Sequence, residues 1–222
     1  MRPAALFDLD GTLLTVNSAK LWARRERSQG RAGISYMLKA GFYLAAYKLG
    51  AINYEKALAE ALATIKGIRE ETIREWTQAW FAADVVPCAA PGAFPVIAWH
   101  RAQGHVLALI TSSSPYLAEC AVALFGLDAY RATTYSVSDG CLTGEFVSPP
   151  CFGEGKVHYA KELAAEQRFD LDASYFYTDS STDLPLLQRV ANPRVVHPDP
   201  RLRLAARRNG WQVLDWRQGS SV

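Results

Sequence analysis

Two aspartates one residue apart close an apolar run near the start of the chain, in Phe7-Asp8-Leu9-Asp10-Gly11-Thr12-Leu13-Leu14. Residues two apart share a face of an extended chain, so both carboxylates address one pocket. Asp-Gly-Thr is good turn chemistry, which accounts for Asp10 to Thr12 but leaves Asp8 unexplained. Three more polar sites sit in comparable places. Thr111 and Ser112 end the apolar run before Pro115, where hydroxyls and free amides at a helix start suit an anion and one serine suffices as N-cap. Lys156 ends Gly153-Glu154-Gly155-Lys156 just before a helix. The P-loop template fails there, because Pro150 takes its first glycine position and Val157 follows the lysine. Asp179 and Asp183 follow the β-rich run Tyr175–Tyr177; Asp183 has a capping role open to it, whereas Asp179, directly after the strand, does not.

Asp8, Asp10 and Asp179 together suit a hard, oxygen-loving cation, and Mg²⁺ typically takes one or two carboxylates, several waters and a substrate phosphate. A hydroxyl and a lysine opposite it complete a cage around a phosphoryl group, whose transfer needs mainly positioning and charge neutralisation. A carboxylate is also a nucleophile, and of two adjacent ones the first attacks while its neighbour moves protons.

The elements that must hold these groups read as alternating strands and helices. Strands are expected at Ala4–Phe7, Val106–Ile110, Tyr175–Tyr177, Arg194–Val196 and Gln212–Leu214. Helices are expected at Ala93–Ala102, Pro115–Phe125, Val157–Gln167, Asp183–Val190 and Pro200–Arg208. That alternation implies an α/β fold, a doubly wound, Rossmann-like parallel sheet with ligands at the strands' carboxyl ends. Residues 18–84 break the pattern and read as helical: a helix N-capped by Ser18 and ending near Gly30, then Ile34–Leu49, Tyr54–Ile65 and Glu70–Phe81. Asp139-Gly140 between β-rich runs marks a hairpin. The domains expected are a core of residues 1–16 and 87–222 and an inserted helical cap of residues 17–86.

With 222 residues, half of them hydrophobic, and a formal net charge of +2, the chain has room for a core plus an insertion, and nothing global argues for a nucleic-acid partner. Cys88, Cys120, Cys141 and Cys151 form no CxxC pair, which favours reduced thiols in the cytoplasm over a disulfide framework or zinc site. The apolar stretch Ile34–Ile52 is broken by Lys39 and Lys48, so no transmembrane segment is expected.

In order, "DLDGT", "LITSS", the lysine of "GEGK" and "DSSTD" resemble the four motifs of the haloacid dehalogenase-like superfamily of hydrolases. The insertion, the hairpin and "DLPLL" resemble the phosphoserine phosphatase-like subfamily within it. The resemblance implies Asp8 as nucleophile and Mg²⁺ ligand, and Asp10 as general acid/base offering its backbone carbonyl to the metal. It implies Thr111 and Ser112 as phosphoryl ligands, Lys156 as the neutralising cation, Asp179 as metal ligand and Asp183 as support. Dehalogenases usually lack the second aspartate, so Asp10 favours a phosphatase. Phosphoserine phosphatases usually carry a glutamate early in the cap; Val16-Asn17-Ser18 stands there instead, which weighs against phosphoserine.

In the cap, Lys20, Arg24 and Arg27 share one helical face, a solvated basic surface or a funnel for anionic esters. Asn17, Lys20, Arg24, Tyr36 and Tyr43 are the candidates for specificity. The apolar Ile34–Ile52 stretch reads first as cap packing, with self-association or a lipid-like ester as alternatives. The expectation is a Mg²⁺-dependent phosphatase acting on a small-molecule phosphate ester through an aspartyl-phosphate on Asp8. Its competitors are a phosphotransferase using the same intermediate and a catalytically silent phosphate- and Mg²⁺-binding module; a receiver-like signalling module suits neither the cap nor the length.

Overall fold

The computed structural model describes residues 1–28 and 54–217. Six strands form one parallel sheet: β3 (Ala129–Arg131), β2 (Val106–Ile110), β1 (Arg2–Phe7), β6 (Phe169–Thr178), β7 (Asn192–Val196) and β8 (Gln212–Leu214), side by side in that order. Successive side chains of a strand leave by opposite faces. Accordingly Ala5 and Phe7 enter one apolar layer and Ala4 and Leu6 the other. All four are fully buried, because helices cover both faces, as a continuous apolar strand requires. α4 (Ala93–Ala102) and α5 (Pro115–Phe125) supply Ile97, Leu117 and Phe125 to the Phe7 layer. α6 (Glu154–Gln167), the single turn α7 (Leu184–Leu187) and α8 (Pro200–Asn209) supply Leu163, Leu186 and Leu202 to the Leu6 layer.

β2 and β3 lie on one side of β1, and β6, β7 and β8 on the other, so the strand order reverses between β1 and β6. A ligand crevice belongs outside the carboxyl ends at such a switch point. Between β1 and α4 the described residues hold three α-helices: α1 (Ser18–Ser28), α2 (Tyr54–Ala63) and α3 (Glu70–Trp80), the last returning through a π turn at Phe81–Val85. The hairpin β4 (Tyr135–Ser138) and β5 (Cys141–Phe146) packs against α2. Asp139 and Gly140 both take positive φ, 51° and 73°, as a two-residue type I′ turn demands.

Several expectations need correction. Asn17, not Ser18, caps α1: its Oδ1 accepts from Lys20 N–H at 3.1 Å, because Ser18 is engaged elsewhere. α6 begins at Glu154, so Lys156 lies inside its first turn rather than before it. The helix expected at Asp183–Val190 shrinks to a 3₁₀ turn, Ser181–Asp183, and the single turn of α7. β6 runs well beyond Tyr175–Tyr177, and β3 is a short edge strand with no sequence signal. The helix expected at Ile34–Leu49, the end of α1 near Gly30, Tyr36 and Tyr43 lie outside the described residues. All four cysteines are free, and among the described residues no helix is long and apolar enough to cross a membrane.

Behind the crevice, Phe7 stacks on Tyr177 with centroids 5.0 Å apart. The Tyr177 hydroxyl is hydrogen-bonded to His100 Nε2, and His100 Nδ1 to His105 Nδ1, each at 2.8 Å. His100 is fully buried. Burial, then the neighbouring His105 and Arg194, push its pKa from 6.5 down to about 3. The unfolded chain therefore binds a proton below pH 6.5 that the folded one refuses, and stability falls as pH drops from there toward 3. The expected loss from this residue approaches about 1.4 kcal/mol per pH unit. Denaturant unfolding at pH 7.5 and pH 5 checks it: the decline should be shallower in His100→Gln.

Candidate active site

The site begins where the β1–β6 ladder ends. Asp8 N–H still donates to Tyr177 C=O at 2.9 Å; beyond it the chain turns, with Gly11 at φ +75°. A Cβ at Gly11 would fall 2.3 Å from Asp179 Oδ2. The loop after β1 touches the carboxylate after β6 only because residue 11 has no side chain.

Lys156 arrives from the opposite side. Gly155 brings α6 against the preceding loop so closely that a Cβ would lie 1.9 Å from Pro150 O. From there Lys156 Nζ donates to Asp8 Oδ1 and to Asp183 Oδ2, each at 2.7 Å. Thr178 Oγ1 donates to the same Asp183 oxygen at 2.6 Å. Lys156, Asp8 and Asp183 are all buried, and Asp183 Oδ1 is a buried oxygen with no hydrogen-bond partner. Burial opposes the charge on Lys156, but Asp183 and Asp8 outweigh it and hold the ammonium well above the usual lysine range. Burial dominates at Asp8, whose pKa rises to about 7 against the pull of Lys156. Burial and then the repulsion of Asp8 raise Asp179 to about 8.

Asp10 has different company. Its Oδ1 accepts from Ser18 N–H at 2.8 Å; its Oδ2 accepts from the Ser18 hydroxyl at 3.0 Å and from Asn17 Nδ2 and Ser113 Oγ, both at 3.3 Å. Burial raises its pKa, against those donors. Thr111, at the end of β2, is buried and its Oγ1 accepts from Ser113 N–H at 3.1 Å. Ser114, not Ser112, is the N-cap of α5, accepting from Leu117 N–H at 3.2 Å, so the neighbouring hydroxyls are not consumed in capping.

Asp8, Asp10, Lys156, Asp179 and Asp183 thus come together, and Thr111 and Ser112 join them through the Ser113 link to Asp10. Asp183 pairs with Lys156 and makes no capping bond of its own. Of the specificity candidates, Asn17 is turned to Asp10 and to capping, while Lys20 and Arg24 are exposed on α1. Sequence reasoning missed Ser18 and Ser113 as holders of Asp10, Thr178 as the donor to Asp183, and Gly11 as the close-approach point. A serine eight residues after Asp10 carries no local signal of that bond. Among the described residues no three His, Cys, Asp or Glu side chains converge as a metal cage.

Breaking a buried pair by removing one partner leaves a charge uncompensated, at a cost of about 3–5 kcal/mol. Lys156→Met should lose stability of that order at pH 8. Denaturant unfolding of the variant beside the parent protein measures it; a loss under 1 kcal/mol, by the same principle, would mean the pair is far less desolvated than this geometry requires.

Comparison with known proteins adds an independent line. Residues 5–188 match the family model of haloacid dehalogenase-like hydrolases. A histidinol-phosphatase of Neisseria meningitidis serogroup C is 28% identical over 233 residues, covering 98% of this chain and 100% of the relative. The inhibition of morphological differentiation protein of Streptomyces azureus is 30% identical, covering 97% of this chain and 79% of its own. Among solved structures, a protein of unknown function from Bordetella pertussis Tohama I aligns with a TM-score of 0.89 at 32% identity, covering 97% of this chain and 99% of that one. A substrate-bound phosphoserine phosphatase aligns with a TM-score of 0.70 at 16% identity, over 99% and 95% of the two chains, a likeness of fold. With its motifs assembled at the switch point of the sheet and the family model matched from the first strand to the last motif, this chain belongs to the haloacid dehalogenase-like hydrolases.

Proposed function

We propose that this phosphate-monoester hydrolase passes the phosphoryl group of a small organic phosphate first to Asp8 and then to water. The observation that carries the reading is the contrast between two neighbouring carboxylates. Burial raises the pKa of both, but Asp8 is pinned by the Lys156 ammonium, whereas Asp10 is held by hydroxyl and amide donors. A carboxylate fixed by a cation beside one held by neutral donors suits a nucleophile next to an acid/base. Asp8 attacks phosphorus, the ester P–O bond breaks, and Asp10 gives its proton to the leaving alkoxide. Asp10 then takes a proton from water as that water attacks phosphorus, and the Asp8–P bond breaks. Thr111 and Ser112 hold phosphoryl oxygens, and Lys156 keeps Asp8 aimed while offsetting charge.

The residues present fit Mg²⁺. Burial and then the repulsion of Asp8 raise the pKa of Asp179, as carboxylates crowded at one spot do, and Asp183 Oδ1 is a buried oxygen with no hydrogen-bond partner among the described residues. Asp8, Asp179 and the Asp10 carbonyl would hold the ion, a donor set with few carboxylates, as Mg²⁺ prefers. When bound, Mg²⁺ supplies positive charge to the phosphoryl oxygens as they gain negative charge. The reading includes a core of residues 1–16 and 87–222 and a helical cap of residues 17–86. Arg74 of α3 pairs with Glu119 of α5, which supports a cap resting on the core. The free cysteines support a reducing compartment. The relative named histidinol-phosphatase aligns over 98% of this chain, so histidinol phosphate heads the candidate esters.

Phosphate release from a panel of monoesters, histidinol phosphate and phosphoserine among them, tests the reading. Release should require Mg²⁺, stop with chelator, and fall at least about a thousandfold in Asp8→Asn, as nucleophile removal does elsewhere. Release that survives in folded Asp8→Asn would overturn the covalent route, and transfer to added alcohols in place of water would move the reading to a phosphotransferase.

A further inference from the structure

Tyr54 opens α2, far from every motif in sequence, yet it touches two of the loops that build the site. Its hydroxyl donates to Ser112 C=O at 3.2 Å. Its ring stacks on Phe152, centroids 4.0 Å apart and planes 11° from parallel, in the loop that leads to Lys156. The Ser112 bond matters for what lies at the other end of the same peptide. That peptide's N–H belongs to Ser113 and donates to Thr111 Oγ1 at 3.1 Å. A peptide unit is planar, so fixing its carbonyl fixes the direction of its N–H.

We infer that Tyr54 is a positioning residue: by holding the Ser112–Ser113 peptide it orients the Thr111 hydroxyl toward the phosphoryl group. The Thr111 oxygen has two lone pairs and one proton. With one lone pair taken by Ser113 N–H, its proton is left to donate into the pocket. The inference rests on the proposed phosphoryl site and adds a specific link: α2, through Tyr54, sets the geometry of a core hydroxyl by way of the Ser112–Ser113 peptide. The Phe152 stack keeps the Tyr54 ring in register on the core side, so seating of α2 and readiness of Thr111 go together. Packing alone would make Tyr54 a lid whose loss acts equally whatever stands at position 111.

A double-mutant cycle separates the two. Tyr54→Phe keeps the ring and the stack and deletes only the hydroxyl; Thr111→Val deletes the group it is argued to act through. Affinity for inorganic phosphate with Mg²⁺, by calorimetry, and kcat/KM on the best ester are read for both singles and the double. Tyr54→Phe should weaken both readouts by about 3- to 10-fold, the range of one ordinary hydrogen bond. In the Thr111→Val background the same change should matter less than about twofold. No effect in the parent, or an equal effect in both backgrounds, overturns the inference. Parent protein that binds phosphate but hydrolyses no ester would sink the proposed function and leave the binding cycle to judge Tyr54. Parent protein that binds no phosphate removes the site on which both stand.

Discussion

The site is organised around one buried ammonium. Lys156 comes from the first turn of a helix, Asp8 from the end of the central strand and Asp183 from the turn after β6; their charged atoms meet at 2.7 Å where water scarcely reaches. Such an arrangement is a poor source of stability, because desolvating the ions costs about as much as their attraction returns. Its effect is geometric. An ammonium without a partner is intolerable there, so β1, β6 and α6 must close to one relative position, and Asp8 is aimed as a by-product. The neighbouring glycines express the same constraint. Gly155 lets the helix come near enough for Lys156 to reach, and Gly11 lets the turn after Asp8 lie against Asp179.

Asp8 and Asp10 then differ through what surrounds them rather than through what they are. One faces a cation; the other faces Ser18, Asn17 and Ser113, neutral donors that bond a carboxylate without fixing its charge. Ser18 opens α1, so that helix is tied to Asp10 by two bonds. This clarifies the absent glutamate. At the place where phosphoserine phosphatases carry an acidic residue, Asn17 caps α1 and Ser18 serves Asp10. The start of α1 is thereby tied to the loop that carries Asp10.

Much of this was legible in the sequence, for an identifiable reason. In a parallel sheet a polar residue at the carboxyl end of an apolar strand stands at the ligand side, so Asp8, Thr111 and Asp179 announce themselves by position. Glycine and proline mark helix boundaries: α4 lies between Gly92 and Gly104, and α5 between Pro115 and Gly126. What was not legible depends on partners distant in sequence. Ser18 and Asn17 are equally good N-caps on local grounds until Asp10 claims Ser18. Asp183 looks like a cap until Lys156 and Thr178 bind it. β3 is a strand only because β2 offers it an edge, and Tyr54 is one aromatic among many until α2 is laid across the Ser112 loop.

The strand order carries a consequence for the making of the protein. β1 is the centre of the finished sheet, yet its neighbour β6 lies about 160 residues further along the chain. At ordinary rates of translation that gap lasts roughly ten to thirty seconds. Throughout it, one edge of a largely apolar strand has no partner, and such an edge is a template for pairing with another chain. β2 arrives earlier and relieves only the other side. The central strand of the native sheet is therefore the one whose edge stays open longest during synthesis.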